Sequence, residues 1–320
     1  MRCLGIGLSV AIAGLTEEER RGIEAAWRCA VGSARAWKPA FVAVGVTPLS
    51  ASLPEPDILV YLGESSRFDT VAGTLARQVP VVFVKSTVEE LLNRVPGAPP
   101  RYRMSTGVTG IAAALAATAT HAPTVDWTSL PWPQECASFL HLDEAEARYV
   151  DASVTAFRTA AAARNMSWRT SLPRGRQFSV FLTMHDPAAA TLATVASRRW
   201  PRCTVLAADG MVSTRTVEGQ AWPSQVVRVR HWSPRLRSRS NRIFRAAHGI
   251  ALPDYDSAGM LFGTLQFLDS VLHAGAPPDR LEDGGRHPGP LGPMRMTASG
   301  HPQPERLVLF RGAQARTFVI

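Results

Sequence analysis

The residues of this chain best suited to chemistry stand directly after long apolar runs. Ile58–Leu62 is followed by Gly63-Glu64-Ser65-Ser66, and Val81–Val84 is followed by Lys85-Ser86-Thr87. Continuous apolar runs of this length are typical of parallel strands that are buried on both faces. Ligands of open α/β sheets bind just beyond the carboxyl ends of such strands. We therefore predict that these polar residues share one rim of a sheet and form a binding site there.

Two polar segments of the same kind follow apolar runs in the second half of the chain. They are Thr183-Met184-His185-Asp186 and Ala208-Asp209-Gly210-Met211. Hydroxyl and backbone N–H donors near a helix N-terminus favour a carboxylate, whereas Asp209 favours an ammonium group, with about 2 kcal/mol for one charge-assisted bond. Two plainer interpretations stay open. Ser86 and Thr87 are also suited to capping the next helix, and Asp209 to an Asp-Gly turn.

Signatures of catalysis are absent from the sequence. It contains no GxGxxG, P-loop, GxSxG or HExxH motif. His141 with Asp143, and His185 with Asp186, are interpreted as hydrogen-bonded loop histidines, with a ligand contact as the alternative. No catalytic residue, cofactor or metal is predicted, and an enzyme is not indicated.

The four cysteines, Cys3, Cys29, Cys136 and Cys203, are far apart and have no metal-ligand spacing. They predict buried free thiols, and one disulfide is the alternative. The apolar fraction of 46% over 320 residues indicates a folded protein of two domains with proper cores. No run of 18 apolar residues occurs, so no membrane span is predicted.

The net charge of +9 is concentrated in one segment. Seven arginines occur within 18 residues: Arg228, Arg230, Arg235, Arg237, Arg239, Arg242 and Arg245. A nucleic-acid surface usually interleaves basic residues with stacking aromatics or belongs to a known motif. We interpret the segment as a solvated basic face and predict no nucleic-acid partner.

Strands and helices alternate along the chain, which indicates doubly wound parallel sheets. The predicted strands are Leu4–Val10, Phe41–Val46, 58–62, 80–84, Arg101–Ser105, Cys136–Leu142, Ser167–Ser171, Phe178–Met184, Cys203–Ala207, Val226–Val229, Glu305–Arg311 and Gln314–Ile320. The predicted helices are Glu17–Ala30, Phe68–Gln78, Val88–Asn93, Val108–Ala122, Glu144–Arg164, Pro187–Trp200 and Ser257–Ala274. Ala122–Glu135 is interpreted as a domain boundary, and Gly275–Pro293 as a connection.

Several of these segments, in this order, resemble a known family. They include VPVVFVKSTVEEL, RYRMSTGVTGIAAALAA, CASFLHLDEAEARYV and CTVLAADGMVS, and the chain closes with a long helix, a glycine-rich stretch and ERLVLFRGAQARTFVI. The pattern is similar to the branched-chain amino acid (Leu/Ile/Val) substrate-binding proteins of ABC transporters, over nearly the whole chain. CASFLHLDEAEARYV is matched to the first strand of that family's second lobe, and RYRMSTGVTGIAAALAA to its Phe-Arg-x-x-Ser segment and the helix that follows.

The resemblance implies an α/β fold of the type I periplasmic-binding-protein kind. Two Rossmann-like lobes with parallel sheets flanked by helices are joined by a hinge of several strands, and the ligand cleft lies between the lobes. The N-terminal lobe is expected at 1–121 and 249–303, and the C-terminal lobe at 122–248 and 304–320.

The resemblance also implies ligand contacts. Ser65 or Ser66 and Thr87 would bind a ligand carboxylate, Asp209 an amino group, and Met184 or His185 would line the second lobe. Lys85, Ser86, Arg103 and Glu146 complete the candidate set. Lys85 stands where the family has a small residue, so we predict an anionic ligand group beside it. The tyrosine that the family has near Glu146 is missing, and Tyr149 lies three residues further on.

The implied function is capture of a small polar or amphipathic solute, amino-acid-like or a carboxylate or amide, for an ABC transporter permease in the bacterial periplasm. The chain start, Met1-Arg2 and an apolar run, is interpreted as a strand, so a leader is not visible in this numbering. The alternative is a cytoplasmic ligand sensor of the same fold that controls a regulator. A monomer or weak dimer is expected.

Overall fold

A computed structural model of the chain describes residues 9–15, 38–43, 56–63, 68, 75–87, 89–93, 96–119, 122–173, 177–184, 188–208, 223–233, 236, 238–248, 256–312 and 314–320. The chain forms two compact units. The first comprises Met1–Ser105 and Leu236–Glu305, and the second Thr106–Arg235 and Arg306–Ile320. The chain therefore passes between the units at three points.

The first unit is built on a five-stranded parallel sheet. Its strands are β1 (Ser9–Leu15), β2 (Lys38–Ala43), β3 (Ile58–Tyr61), β4 (Val81–Phe83) and β5 (Arg101–Arg103), in the order β2-β1-β3-β4-β5. Every residue of β3 and β4 is buried, because the sheet is covered on both faces there. Tyr61, Phe68 and Phe83 pack edge to face in this core.

The second unit carries a seven-stranded sheet. Its strands are β6 (Thr124–Asp126), β7 (Trp168–Arg169), β8 (Phe178–Leu182), β9 (Cys203–Ala207), β10 (Val226–Arg230), β14 (Arg306–Arg311) and β15 (Gln314–Val319), in the order β15-β14-β10-β9-β8-β6-β7. The five strands from β6 to β10 are parallel, and β14 and β15 continue the sheet as an antiparallel hairpin.

Helices cover both faces of this second sheet. Helix α1 (Val108–Thr118) and helix α2 (Glu144–Ala162) contribute to one apolar layer, and helix α3 (Ala188–Arg199) contributes to the other. The side chain of Asp143 caps α2 by accepting a hydrogen bond of 2.8 Å from the Glu146 N–H. The sequence places the domain boundaries after residues 121, 248 and 303, whereas the chain is divided between the units after 105, 235 and 305. Helix α1 packs on α2 and therefore belongs to the second unit.

The parallel strands of the two units follow the same order. In each unit the order reverses between the first and third strands in the chain, at β1/β3 and at β6/β8. Crevices at such reversals are where α/β sheets bind ligands. The fifth strands, β5 and β10, also match: β5 ends in Arg-Tyr-Arg and β10 ends in Arg-Val-Arg.

Two further helices and a small sheet complete the first unit. Helix α4 (Arg239–His248) and helix α5 (Asp256–His273) pack together, and a small antiparallel sheet follows with strands β11 (His287–Gly289), β12 (Gly292–Met296) and β13 (Pro302–Gln303). Short 3-10 helices occur at Leu75–Arg77, Glu89–Leu92, Trp127–Ser129, Gln134–Leu140 and Leu281–Gly284. Among the described residues, no helix is both long and apolar enough to cross a membrane.

The predicted strand Cys136–Leu142 is wrong, because Gln134–Leu140 is a 3-10 helix. Cys136 is buried, Phe139 and Leu142 are partly buried, and the residues between Cys136 and Phe139 are exposed. That spacing of three suits a helix and not an alternating strand. The first strand of the second unit is β6, which lies inside the stretch 122–135 that the sequence assigns to a boundary.

The interpretation of Gly275–Pro293 as a connection is also wrong, since the segment contains a 3-10 helix, β11 and the start of β12. Along β12, Met294 and Met296 are buried while Pro293 and Arg295 are exposed, which is the alternation of a strand with one face covered. The first two strands are described at Ser9–Leu15 and Lys38–Ala43, which overlap the predicted strands Leu4–Val10 and Phe41–Val46. Residues 4–8 and 44–46 of those predictions lie outside the described residues. The predicted helix Glu17–Ala30 lies outside the described residues.

Candidate functional site

The carboxyl ends of β3 and β4 form one side of the candidate site. The two strands are parallel neighbours, and the Val84 N–H donates a hydrogen bond of 2.9 Å to the Tyr61 carbonyl oxygen just beyond them. Lys85, Ser86 and Thr87, here called the β4 tip, follow directly. Lys85 is half-buried, and Ser86 and Thr87 are buried. Ser65 and Ser66, predicted on the neighbouring strand end, lie outside the described residues.

Residues at and beyond the end of β5 donate hydrogen bonds to the β4 tip and to the end of β4. The Ser105 hydroxyl donates to the Ser86 carbonyl oxygen at 2.8 Å, and Arg103 Nη1 donates to the Thr87 carbonyl oxygen at 3.4 Å. The Met104 N–H donates to the Phe83 carbonyl oxygen at 2.8 Å. Two side-chain donors therefore fix the backbone of the β4 tip, and a third donor fixes the end of β4 just before it.

Arg103 lies at the centre of a charged cluster in the first unit. Its side chain is 1% exposed, and Nη1 lies 3.0 Å from a carboxylate oxygen of Glu89. Nη2 lies 2.9 Å from Nδ1 of His301. The Arg103 N–H donates to the Gly300 carbonyl oxygen at 2.8 Å, so the strand and the guanidinium are both tied to the turn between β12 and β13. The guanidinium of Arg103, which the sequence predicts as a ligand contact, therefore binds other groups of the protein.

His301 is the titratable group of this cluster. Burial lowers the pKa of its imidazole from the ordinary value, the nearby Arg103 guanidinium lowers the pKa further, and Glu89 acts in the opposite direction. Nδ1 also lies 3.7 Å from a carboxylate oxygen of Glu305. The imidazole therefore favours its neutral form near neutral pH.

The second unit presents its own strand ends. Met184, which follows β8, is buried in the apolar layer of α3, while His185 and Asp209 lie outside the described residues. Thr183, also beyond β8, is 1% exposed, and its hydroxyl has no hydrogen-bond partner within the described part of the chain. Asp126 ends β6 on the same rim and accepts a hydrogen bond of 3.1 Å from the Thr128 N–H.

Glu146 lies in the first turn of α2 and is half-buried. Tyr149, one turn further on, is buried in the apolar core of the second unit. The structure therefore shows Tyr149 as a core residue, and the position of Glu146 at the helix start is set by the Asp143 cap.

Two arginines of the basic segment depart from the solvated face that the sequence predicts. Arg228 and Arg230 lie on β10 and are buried, because their aliphatic stems and guanidinium groups pack into the sheet. Their Cζ atoms stand 4.8 and 5.7 Å from the centroid of the Phe310 ring on β14. Arg242 is exposed on α4, and Arg235, Arg237, Arg239 and Arg245 have no described side chains.

Cys136 and Cys203 are buried free thiols, and Cys3 and Cys29 lie outside the described residues. Burial raises the pKa of the Cys203 thiol to about 12, against a smaller opposite effect of a hydrogen bond with the Val180 backbone. Among the described residues, no group of three or more His, Cys, Asp or Glu side chains is placed to hold a metal ion.

Sequence reasoning missed Glu89, Ser105 and His301 as parts of the site. His301 is 198 residues from Arg103 in the chain, so no local pattern connects them. Asp126 was missed because β6 has only three residues, too few for its alternation to be read.

No family model matches the chain, and no curated protein matches it. Solved structures match over 98% of the chain. An ABC transporter substrate-binding protein from Desulfitobacterium hafniense has 16% identity and a TM-score of 0.70, with 99% of that chain covered.

Two further structures match to a similar extent. A solute-binding protein of an ABC transporter from R. palustris, in complex with 4-hydroxybenzoate, has 11% identity and a TM-score of 0.67, with 96% of that chain covered. A branched-chain amino acid ABC transporter periplasmic ligand-binding protein from Burkholderia xenovorans LB400 has 11% identity and a TM-score of 0.65, with 94% covered.

These similarities and the two matching sheets define the class of fold. The chain has the fold of the type I periplasmic binding proteins, as the sequence resemblance implies. The solved proteins of this fold named above are substrate-, solute- or ligand-binding proteins of ABC transporters.

Proposed function

We propose that this protein is a solute-binding protein that captures a small carboxylate-bearing ligand between its two lobes. The observation that carries this proposal is the β4 tip, where a lysine and two hydroxyl residues are fixed at the carboxyl end of a central strand. Such a tip offers convergent donors to an anion. The similarity of the whole chain to solute-binding proteins supports the same function.

Ligand recognition divides between the lobes. The Lys85 ammonium group, the hydroxyls of Ser86 and Thr87, and Ser65 or Ser66 bind the carboxylate. Asp209 binds an amino group when the ligand is an amino acid, and Met184, His185 and Glu146 shape the opposite wall. The body of the ligand is apolar or aromatic, as in the 4-hydroxybenzoate complex of the R. palustris protein.

Binding acts through closure of the lobes. A ligand that contacts both lobes in the closed form, but only one in the open form, shifts the population towards closure by its difference in affinity. The closed form is then the one that an ABC transporter permease in the bacterial membrane recognises, with the protein in the periplasm as a monomer or weak dimer. The ligand leaves chemically unchanged, so no catalytic residue is required.

Substitution of Lys85 gives the most direct test, because its ammonium group should recognise the negative charge of the ligand and not the ligand's size or shape. Isothermal titration with benzoate and benzamide compares ligands of nearly equal size that differ in charge. We expect Lys85→Met to weaken benzoate binding at least tenfold, about 1.4 kcal/mol, and to leave benzamide binding unchanged. Lys38→Met, at the chain's other lysine, is the control and should change neither affinity.

Two results would contradict the proposal. Equal benzoate affinity in Lys85→Met and the unaltered protein would show that Lys85 does not contact the ligand carboxylate. If the folded protein binds neither benzoate, 4-hydroxybenzoate nor leucine, small carboxylates are excluded as its ligands.

A further inference from the structure

We propose that Arg103 is a positioning residue that holds the β4 tip in its ligand-binding geometry, and that it does so only while His301 is neutral. This inference rests on the proposed function, because it concerns how the same tip is kept ready for a ligand. It assigns Arg103 a role that differs from direct ligand contact.

The Arg103 side chain is too deeply buried to contact a ligand directly. Its side chain is 1% exposed, whereas Lys85 is half-buried and closer to solvent. The guanidinium is instead directed at the protein: Nη1 reaches the Thr87 carbonyl oxygen at 3.4 Å and the Glu89 carboxylate at 3.0 Å. Because Glu89 begins the 3-10 helix that follows the tip, the Arg103 side chain contacts both the tip, at Thr87, and the helix after it.

The contact with His301 sets the protonation state that this arrangement requires. Arginine only donates hydrogen bonds, so His301 Nδ1, 2.9 Å from Nη2, must accept one. The imidazole is then neutral, with its proton on Nε2. A second proton on Nδ1 would remove the acceptor and set two cations against each other at that distance.

The charged groups around His301 come from three elements of the first unit. Arg103 faces it from β5, Glu89 stands beside Arg103 on the 3-10 helix, and Glu305 lies 3.7 Å from Nδ1 on the segment before β14. A protonated imidazole would turn towards Glu305 and away from Arg103. Arg103 would then lose one of the partners that orient its guanidinium, and the β4 tip would loosen.

Loosening of the tip has a measurable consequence without any ligand. Hydrogen exchange of the 84–87 amides, divided by the rate for an unstructured peptide, should rise between pH 7.5 and pH 5.5. The rise should stay below the tenfold expected for full loss of one hydrogen bond, because the lowered pKa leaves part of the imidazole neutral at pH 5.5. Nitrogen NMR of the His301 ring should show the Nε2–H tautomer at pH 7.5.

Substitutions of His301 distinguish a role in positioning Arg103 from a role in packing alone. His301→Asn keeps an acceptor at the place of Nδ1 and removes titration, so exchange at the tip should stay slow and independent of pH. His301→Leu removes the acceptor, so exchange should be fast at both pH values. His273→Asn, on α5 beside Asp269, is the matched control and should behave as the unaltered protein does.

Three results, all obtained without a ligand, would overturn the inference. They are an Nδ1–H tautomer at pH 7.5 in the unaltered protein, the same pH dependence of exchange in His301→Asn, and unchanged exchange in His301→Leu. The first needs no variant, so a variant that fails to fold leaves the test intact.

Titration with benzoate distinguishes failure of this inference from failure of the proposed function. Benzoate affinity should fall between pH 7.5 and pH 5.5 in the unaltered protein, by less than tenfold because the pKa of His301 lies below its ordinary value, and it should stay constant in His301→Asn. If benzoate binds equally at both pH values, positioning by Arg103 is wrong and solute binding stands. If the exchange results are as expected and no carboxylate binds, positioning stands and the proposed ligand class is wrong.

Discussion

The Ser105 hydroxyl donates a hydrogen bond of 2.8 Å to the Ser86 carbonyl oxygen, and both residues are buried. Ser105 comes just after the fifth strand of its sheet and Ser86 just after the fourth. The bond therefore joins the ends of two neighbouring strands at the rim where ligands of such sheets bind.

We predict that Ser105→Ala destabilises the protein by about 1 kcal/mol, since a buried hydrogen bond between strand ends is lost. Carboxylate affinity should fall as well, because the β4 tip is less well ordered. Urea unfolding and titration with benzoate measure the two effects. Ser197→Ala is the control: its hydroxyl bonds the Ala193 carbonyl one turn back in α3, so neither quantity should change by more than about 0.5 kcal/mol. Equal effects of the two substitutions would contradict a role at the tip.

Tyr102 links the first sheet to the segment after α5. Its hydroxyl lies 2.8 Å from a Glu282 carboxylate oxygen and 3.0 Å from the Asp279 carbonyl oxygen, and it accepts a hydrogen bond of 3.1 Å from the Leu281 N–H. Tyr102→Phe should cost about 2 kcal/mol, because a bond to a charged group is lost in a buried site. Glu282→Gln keeps an acceptor and should cost less than half as much. An unfolding free energy unchanged in Tyr102→Phe would refute this reading.

The Arg228 guanidinium stands over the Phe310 ring in the buried sheet of the second unit. A double-mutant cycle with Arg228→Met and Phe310→Leu should give a coupling free energy of about 1 to 2 kcal/mol, as for a desolvated cation–π pair. The exposed Arg158, 5.9 Å from the Trp168 ring centroid, offers a matched cycle that should give about 0.5 kcal/mol or less. The same coupling in both cycles would show that burial does not strengthen the contact.

Cys203 should be protected from alkylation in the folded protein, because burial raises the pKa of its thiol to about 12. A thiol whose pKa is raised on folding contributes stability below its unfolded pKa of about 8.5, and that contribution is lost as the pH rises towards the folded value. The unaltered protein should therefore lose about 1 kcal/mol per pH unit above pH 9 relative to Cys203→Ala. Mass spectrometry of iodoacetamide-treated protein checks the protection. Labelling of Cys203 at the unfolded rate in native buffer would contradict it.

Much of the fold was predictable because the central strands are buried on both faces. The runs at 58–62 and 81–84 have no polar interruption, and the structure places β3 and β4 side by side there. The helix at Glu144 was predictable from its length and periodicity. By contrast, β6 is too short to show a period, and β12 is hidden among glycines and prolines that indicate a turn.

Less of the candidate site could be predicted. The strand-end rule points to Lys85, Ser86 and Thr87, since it depends only on local sequence and on parallel pairing. The groups that fix them do not follow from any local rule. Arg103 meets His301 across 198 residues, through a small sheet whose strands the sequence does not reveal. Likewise, Arg228 and Arg230 look solvated in a basic segment, and only the pairing of β10 with β14 places Phe310 beneath them.

The measurement that tests the central claim most directly is a thermal-shift screen of small carboxylates, amino acids and their uncharged analogues. A carboxylate bound by the folded state should raise the midpoint, through about 2.7 kcal/mol of stabilisation at one hundred times its dissociation constant, while the matching amide should raise it less. We expect benzoate, 4-hydroxybenzoate or a branched-chain amino acid to give this result. No shift from any carboxylate, with a cooperative unfolding transition, would contradict the proposal that this protein binds such solutes.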